Sequence, residues 1–241
     1  MIAVVIPTYN ERENIQKLIE LIFNLGVPNL RVIVVDDNSP DKTAETALKL
    51  AERFPIQIMQ RKTKLGLGSA YIAGFKKALS AGAEFIFEMD ADFSHDPNDI
   101  PRLLAAIGDA DCVIGSRKIK GGKIIGWSWW RKFMSAGAMR ISRFFLNLKT
   151  RDVTSGFRCY RRKVLETIGI DNIITNGYAF QEEMLFRVQN AGFKINEIPV
   201  TFIDRQKGKS KLSKRDILEF FWLIAKLMPK RFFAKESKHA F

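Results

Sequence analysis

Residues 85–97 read FIFEMDADFSHDP. An apolar run over 85–87 ends abruptly in Glu88, Asp90 and Asp92, with Asp96 close behind. Carboxylates a few Å apart raise one another's pKa unless a cation or hydrogen-bond donors compensate. A short aromatic and β-branched run closed by acids reads as a buried strand that delivers polar groups at its carboxyl end.

The same unit recurs on both sides of this stretch. Strand-like runs lie at 2–6, 31–35, 56–59 and 112–114, and helical periodicity fills 11–25, 42–53, 68–79 and 98–107. Strand and helix alternating in this way predict an α/β fold with an open, mostly parallel sheet flanked by helices. Ligands of such sheets sit beyond the carboxyl ends of the strands. There the chain places PTYNE (7–11), DDNSPD (36–41), KLGLG (64–68), DADFSHD (90–96) and GSR (115–117). Asp41 and Asn98 are expected to cap helices. Asp36 and Asp37 together exceed what a cap needs.

The alternation stops after residue 117. Residues 118–130 read as a glycine-rich loop leading into a helix on which Trp130, Phe133, Met134, Gly137, Ile141, Phe144, Phe145 and Leu148 share one face. Lys132, Arg140, Arg143 and Asn147 lie off it. This pattern fits either an interfacial membrane helix or a surface helix docked on the core. A strand-like 156–162, a helix around 179–190 and a strand over 193–203 follow. The segment 213–228 reads as a helix, apolar on most sides.

Composition narrows the class. The chain has 241 residues, 39 Lys and Arg against 26 Asp and Glu, and a net charge of +13. Such a surplus points either to an anionic partner or to a solvated basic surface. Cys112 and Cys159 lie in apolar runs, without disulfide or zinc spacing, and are expected to be buried thiols. No leader is visible, and no apolar run approaches the roughly 18 residues that a membrane span needs.

Asp90 and Asp92, with one residue between them just past a strand, offer only oxygen ligands, which suit Mg²⁺ or Mn²⁺ shared with substrate phosphates. A general acid/base dyad is the competing reading, and it lacks an accompanying nucleophile.

The ordered set VVIPTYNERENI, VVDDNSPDKT, GLGSAYIAGF, MDADFSHDP, IGSRKIKGG, TSGFRCYRRKVL, GYAFQEEM and GKSKL resembles family 2 glycosyltransferases of the GT-A (Rossmann-like) fold. Within them it resembles the dolichyl-phosphate (polyprenyl-phosphate) mannose synthases, over about residues 2 to 228. The resemblance implies inverting transfer of mannose from GDP-mannose to a polyprenyl phosphate, assisted by Mg²⁺ or Mn²⁺. It implies that Pro7, Tyr9, Glu11, Val35 and Asp37 hold the nucleoside. Asp90, Ala91 and Asp92 face the diphosphate, and Arg205 and Lys211 belong to a loop closing over it. The implied metal positions are Asp90, Asp92 and Ser94. Archaeal relatives commonly have Gln at the third, and the shorter Ser94 calls for an intervening water. Arg117, Arg131 and Ser135 are implied at the acceptor phosphate, so the catalytic set is Asp92, Arg117 and Arg131.

The implied organisation is a catalytic domain over 1–212, including the interfacial region near 127–149, and a C-terminal membrane-associated helix and tail over 213–241. Peripheral attachment to the cytoplasmic face of a membrane follows, with small membrane-protein subunits as further partners and no nucleic acid. A UDP-sugar transferase using glucose or N-acetylhexosamine is the alternative enzyme. A basic module binding membrane or nucleic acid is the non-enzymatic one, and it leaves the acidic strand end unexplained.

Overall fold

The computed structural model describes residues 1–177, 179–204 and 214–229, the last stretch with side chains from residue 218 onward. Five strands arise where the apolar runs predict them: β1 (Ile2–Thr8), β2 (Leu30–Asp36), β3 (Ile56–Gln60), β4 (Phe85–Glu88) and β5 (Cys112–Ser116). Between them run α1 (Arg12–Asn24), α2 (Thr43–Leu50), α3 (Leu67–Ser80) and α4 (Ile100–Ala106). The second half adds β6 (Lys123–Ile125), α5 (Trp129–Leu146), β7 (Arg158–Arg161), α6 (Arg162–Thr167), α7 (Phe180–Asn190), β8 (Ile195–Pro199), β9 (Thr201–Ile203) and α8 (Lys214–Leu227).

The main sheet has seven strands in the order β3-β2-β1-β4-β7-β5-β8. All its pairings are parallel except those of β7, which runs antiparallel between β4 and β5. Two apolar clusters cover its faces, one including α1 and α4 residues, the other α3, α7 and the inner sides of α5 and α8. Continuous burial of β1 and most of β2 explains their unbroken apolar runs. Gly74 of α3 lies so close to β1 that an added Cβ would sit 2.2 Å from a Val5 methyl.

Three expectations are corrected. The strand over 193–203 divides at Val200: β8 joins the main sheet beside β5, whereas β9 pairs with β6 in a separate two-stranded sheet. The loop over 118–130 therefore contains a strand. Asn98 does not cap the helix that follows it. Asp96 caps the short 3-10 turn Pro97–Asp99 that leads into it, accepting the Asn98 N–H at 2.9 Å just before Pro97, which fits the first turn of a helix. The third concerns α5, whose predicted apolar face is split. Ile141 packs on the core and Leu148 is buried beyond the helix end, whereas Trp130, Phe133, Met134 and Phe144 stand exposed. The helix docks through Met139, Ser142 and Leu146 instead.

Candidate active site

At the carboxyl edge, β1 and β2 run in register, with Pro7 opposite Val35 and Thr8 opposite Asp36. Asp36 is fully buried and ties the two ends together, accepting from the Thr8 hydroxyl at 2.8 Å and from the Ser39 N–H at 2.8 Å. Its neighbour Asp37 holds the loop between β3 and α3. It pairs with Arg61 and accepts the Leu65 and Gly66 N–H groups at 3.1 and 3.2 Å. The same loop places Lys64 Nζ 3.6 Å from the centre of the Tyr9 ring. Glu11 accepts from Asn14 at the start of α1. Pro7 and Val35 are buried, and Val35 presents no accessible surface at this edge.

The acids of β4 and the following turn are held by different partners. Glu88 is fully buried under the sheet edge, accepts from the Tyr160 hydroxyl at 3.1 Å, and burial pushes its pKa to about 7. The strand ends there, so Asp90 and Asp92 are brought together by a turn rather than by strand alternation. Phe93 supplies that turn with a left-handed φ of 60°, unusual for a bulky residue. Asp90 accepts from the buried Tyr71 hydroxyl at 2.8 Å. The Asp90 N–H donates to His95 Nδ1 at 3.2 Å. His95 is buried, and burial lowers its pKa, which suits the neutral ring that this bond requires. Gly156 keeps space open here: its missing side chain would point among Gln181, Asp90 Oδ2 and the His95 ring. Asp92 Oδ1 accepts the Ser94 N–H at 3.0 Å. Ala91 is buried between the two acids.

Does this set fit a divalent cation? Ser94 Oγ is buried with no hydrogen-bond partner among the described residues, and it lies two residues from Asp92. Among the described residues, no group of three or more His, Cys, Asp or Glu side chains is arranged to hold a metal. An all-protein cage is therefore not built. Oxygen donors of this kind fit Mg²⁺ or Mn²⁺, which commonly take one or two carboxylates and complete their shell with water and substrate phosphates.

Across the cleft, Arg117 makes a buried bidentate pair with Asp152, both contacts at 2.7 Å, and donates to Thr154 at 2.8 Å. That pairing holds the Asp152 pKa below the usual carboxylate range against the cost of its burial. Arg131 pairs with Asp204 at 2.8 Å and is one-third exposed. Both guanidinium groups lie on Trp127, at 5.8 Å for Arg117 and 4.2 Å for Arg131. Phe202 packs edge-on against Trp127 and against His95, joining the arginines to the acidic turn. Ser135, one helical turn beyond Arg131, is half-buried. Gly122 allows the β6 arm to fold back here, since a Cβ would sit 2.6 Å from the Ser116 carbonyl. Arg205 and Lys211 lie outside the described residues.

The structure thus brings Tyr9, Glu11 and Asp37 to one end of the edge, with Asp90, Asp92 and Ser94 in the turn after β4. Arg117 and Arg131 meet around Trp127. Sequence reasoning missed the residues that hold these groups: Tyr71, Gln181, Asp152, Asp204, Trp127 and Phe202. Their spacing carries no signal, because each acts from a different element.

The fold and the acids at its carboxyl edge are those of a glycosyltransferase. The family model described as Glycosyl transferase family 2 matches residues 3–169. The chain belongs to that family. It is 43% identical over 225 residues to the polyprenol monophosphomannose synthase of Mycolicibacterium smegmatis, covering 92% of this chain and 84% of that protein. It is 44% identical to the undecaprenyl-phosphate mannosyltransferase of Micrococcus luteus, covering 88% and 87%. The dolichol-phosphate mannosyltransferase of Pyrococcus furiosus is 41% identical over 94% of this chain, which spans 63% of that longer protein. Among solved structures, glucosyl-3-phosphoglycerate synthase from Mycobacterium tuberculosis with Mn²⁺ and UDP-glucose superposes with a TM-score of 0.64 at 20% identity, covering 96% of this chain and 79% of that one. S. aureus TarS 1-349 gives 0.63 at 19%, covering 94% and 64%. At such identities the likeness concerns the fold, which is of the GT-A type.

Proposed function

We propose that this glycosyltransferase moves mannose from GDP-mannose to a polyprenyl phosphate, with inversion at the sugar. The relatives' names support both the sugar and the acceptor class. The observation that carries the reading is the placement of Arg117 and Arg131 on one tryptophan, at the foot of a helix whose aromatic side is exposed. Cations at that level suit a phosphate whose hydrocarbon tail leaves in the direction of the aromatics.

The nucleoside would lie against Tyr9 and Glu11, with Asp37 bracing the loop that carries Lys64. Pro7 and Val35 would form the floor beneath it. Asp90 and Asp92, with Ala91 between them, would face the diphosphate and hold Mg²⁺ or Mn²⁺, Ser94 contributing through a water. When bound, that ion would stabilise the charge of the departing diphosphate. Arg205 and Lys211 are proposed to close over it. Tyr71 and the Asp90–His95 bond orient Asp90 before substrate arrives.

A phosphate monoester has a second pKa near 6, so the acceptor arrives largely deprotonated and needs no general base. It needs to be held in line, which Arg117, Arg131 and Ser135 would do. A single displacement then gives inversion. Residues 1–212 form the catalytic unit in this reading, with 213–241 as an appended segment whose helix packs on α5. No described helix is long and apolar enough to cross a membrane. Attachment at the cytoplasmic face, aided or not by small membrane-protein subunits, is part of the proposal.

The test is purified enzyme with polyprenyl phosphate and either GDP-mannose or UDP-glucose, with Mg²⁺, Mn²⁺ or a chelator. Mannosyl-lipid formed only from GDP-mannose and lost on chelation is the expected result. Transfer from UDP-glucose alone would overturn the donor assignment, and undiminished turnover in chelator would overturn the metal.

A further inference from the structure

A groove of about 450 Å³ runs along α5, lined by Lys118, Ala136, Met139, Arg140, Arg143 and Arg151. Its polar lining is entirely cationic. Among the described residues none of these four cations lies within ion-pair distance of a carboxylate. The acids bordering it are already engaged. Asp152 holds Arg117, and Glu197 accepts the N–H groups of Arg151 and Asp152 at 2.8 and 3.0 Å. Burial lowers the Lys118 pKa, as do the nearby Arg117 and Lys132, against the pull of Asp152. Unpaired cations gathered around an apolar floor call for an anion with an apolar attachment.

The position on the helix says which. At about 100° per residue, Lys132, Arg143 and Ala136 form an arc between the docked seam of Met139, Ser142 and Leu146 and the exposed arc of Trp129, Phe133 and Phe144, and Arg140 stands at the near margin of that exposed arc, between Trp129 and Phe133. Arg131 lies at the opposite margin of the exposed arc, beside Met134 and Phe145. The groove is therefore separate from the proposed acceptor position. With the aromatic arc in the acyl region, the basic arc falls at headgroup depth.

We infer that this groove binds the phosphodiester headgroup of an anionic membrane phospholipid, fixing the rotation of α5 in the membrane surface while the acceptor phosphate is met at the other margin. A nucleic acid would explain the charge but not the Ala136 and Met139 floor or the adjoining aromatics. The inference rests on the membrane seating of α5 in the proposed function, and not on the identity of the sugar donor.

The test measures partition of the full chain onto vesicles of phosphatidylcholine alone, or mixed with phosphatidylglycerol. Binding is expected to be tighter to the mixed vesicles. The paired change Arg140→Gln and Arg143→Gln is expected to weaken that binding by about 30-fold, from roughly 1 kcal/mol per basic residue. It should leave the weaker phosphatidylcholine binding unchanged. A charge-matched change elsewhere, Arg31→Gln with Lys49→Gln, should have a much smaller effect. Equal losses from the two paired variants, or no preference for anionic vesicles, would overturn the groove alone. No binding to either vesicle would overturn the seating of α5 and the groove with it. If the arginine pair abolished binding to a duplex RNA but left vesicle binding intact, the groove would belong to nucleic acid and the inference would fall.

Discussion

Asp90 and Asp92 stand two residues apart and are held in different ways. Asp90 is fixed by Tyr71 and by its own N–H bond to His95, whereas Asp92 accepts a backbone N–H of the same turn. Asp92→Ala is expected to lower sugar transfer on the order of 100-fold or more, as loss of one charge-organising group does. The urea midpoint should stay near that of the parent chain, because Asp92 is only part-buried. A second prediction concerns Glu182, buried on α7, where it accepts from Ser142 of α5 at 2.9 Å. Burial raises its pKa to about 8. The folded chain keeps this proton where the unfolded chain, with an ordinary carboxyl, has lost it. Stability from this group is therefore full below about pH 4.5 and is lost as pH rises toward about 8. Glu182→Gln should flatten that part of the profile and raise stability above pH 8, read from urea midpoints across pH.

Among the elements, the alternation of runs made the first five strands legible, because parallel strands buried on both faces are written as apolar stretches. The insertion of β7 between β4 and β5 was not legible, since periodicity identifies a strand but not its neighbours. The division of 193–203 was hidden for the same reason. The acidic turn was readable from its residues. The salt bridges that preorganise Arg117, Arg131 and Asp37 were not, because their partners lie 24 or more residues away. α5 is the instructive case: its pattern announced an amphipathic helix, but only the structure decides that Trp129, Phe133 and Phe144, at 75%, 63% and 73% exposure, face outward. Trp130→Ser with Phe133→Ser should leave the melting transition nearly unchanged while lowering vesicle binding by at least about 10-fold. Gly68→Ala should behave oppositely. The new Cβ would lie 2.8 Å from the Thr175 carbonyl and 2.9 Å from the Phe180 ring. Overpacking against a main-chain atom costs about 1–3 kcal/mol, more than the helix propensity gained, about 1 kcal/mol at most. A lowered urea midpoint checks it.

For the molecule as a whole, α8 is not a detached tail where it is described. Leu223, Ile224 and Leu227 join the same core as Met139 and Leu146 of α5, while Leu218, Phe221 and Trp222 stay exposed. Glu219 accepts the Asn176 N–H at 2.8 Å, and the Asn176 carbonyl receives the Gly68 N–H at 3.0 Å. The helix beside the exposed aromatics is thus tied to the turn that opens α3, next to the loop held by Asp37. The net charge of +13 is also unevenly used: several arginines are consumed in buried pairs, whereas Lys132, Arg140 and Arg143 of α5 have no carboxylate partner among the described residues.

The two cysteines give this fold a built-in clock. Cys112 and Cys159 lie in adjacent central strands, both fully buried, and burial pushes the Cys112 thiol up to about 12 and raises that of Cys159 as well. Neither can react as a thiolate until the middle of the sheet comes apart. Their alkylation rate therefore counts openings of the core. A nucleotide that binds only the closed chain must slow that count by the factor 1 + [L]/Kd when reclosing outpaces labelling. Donor affinity could then be read from thiol labelling alone, without a lipid, a membrane or a single turnover.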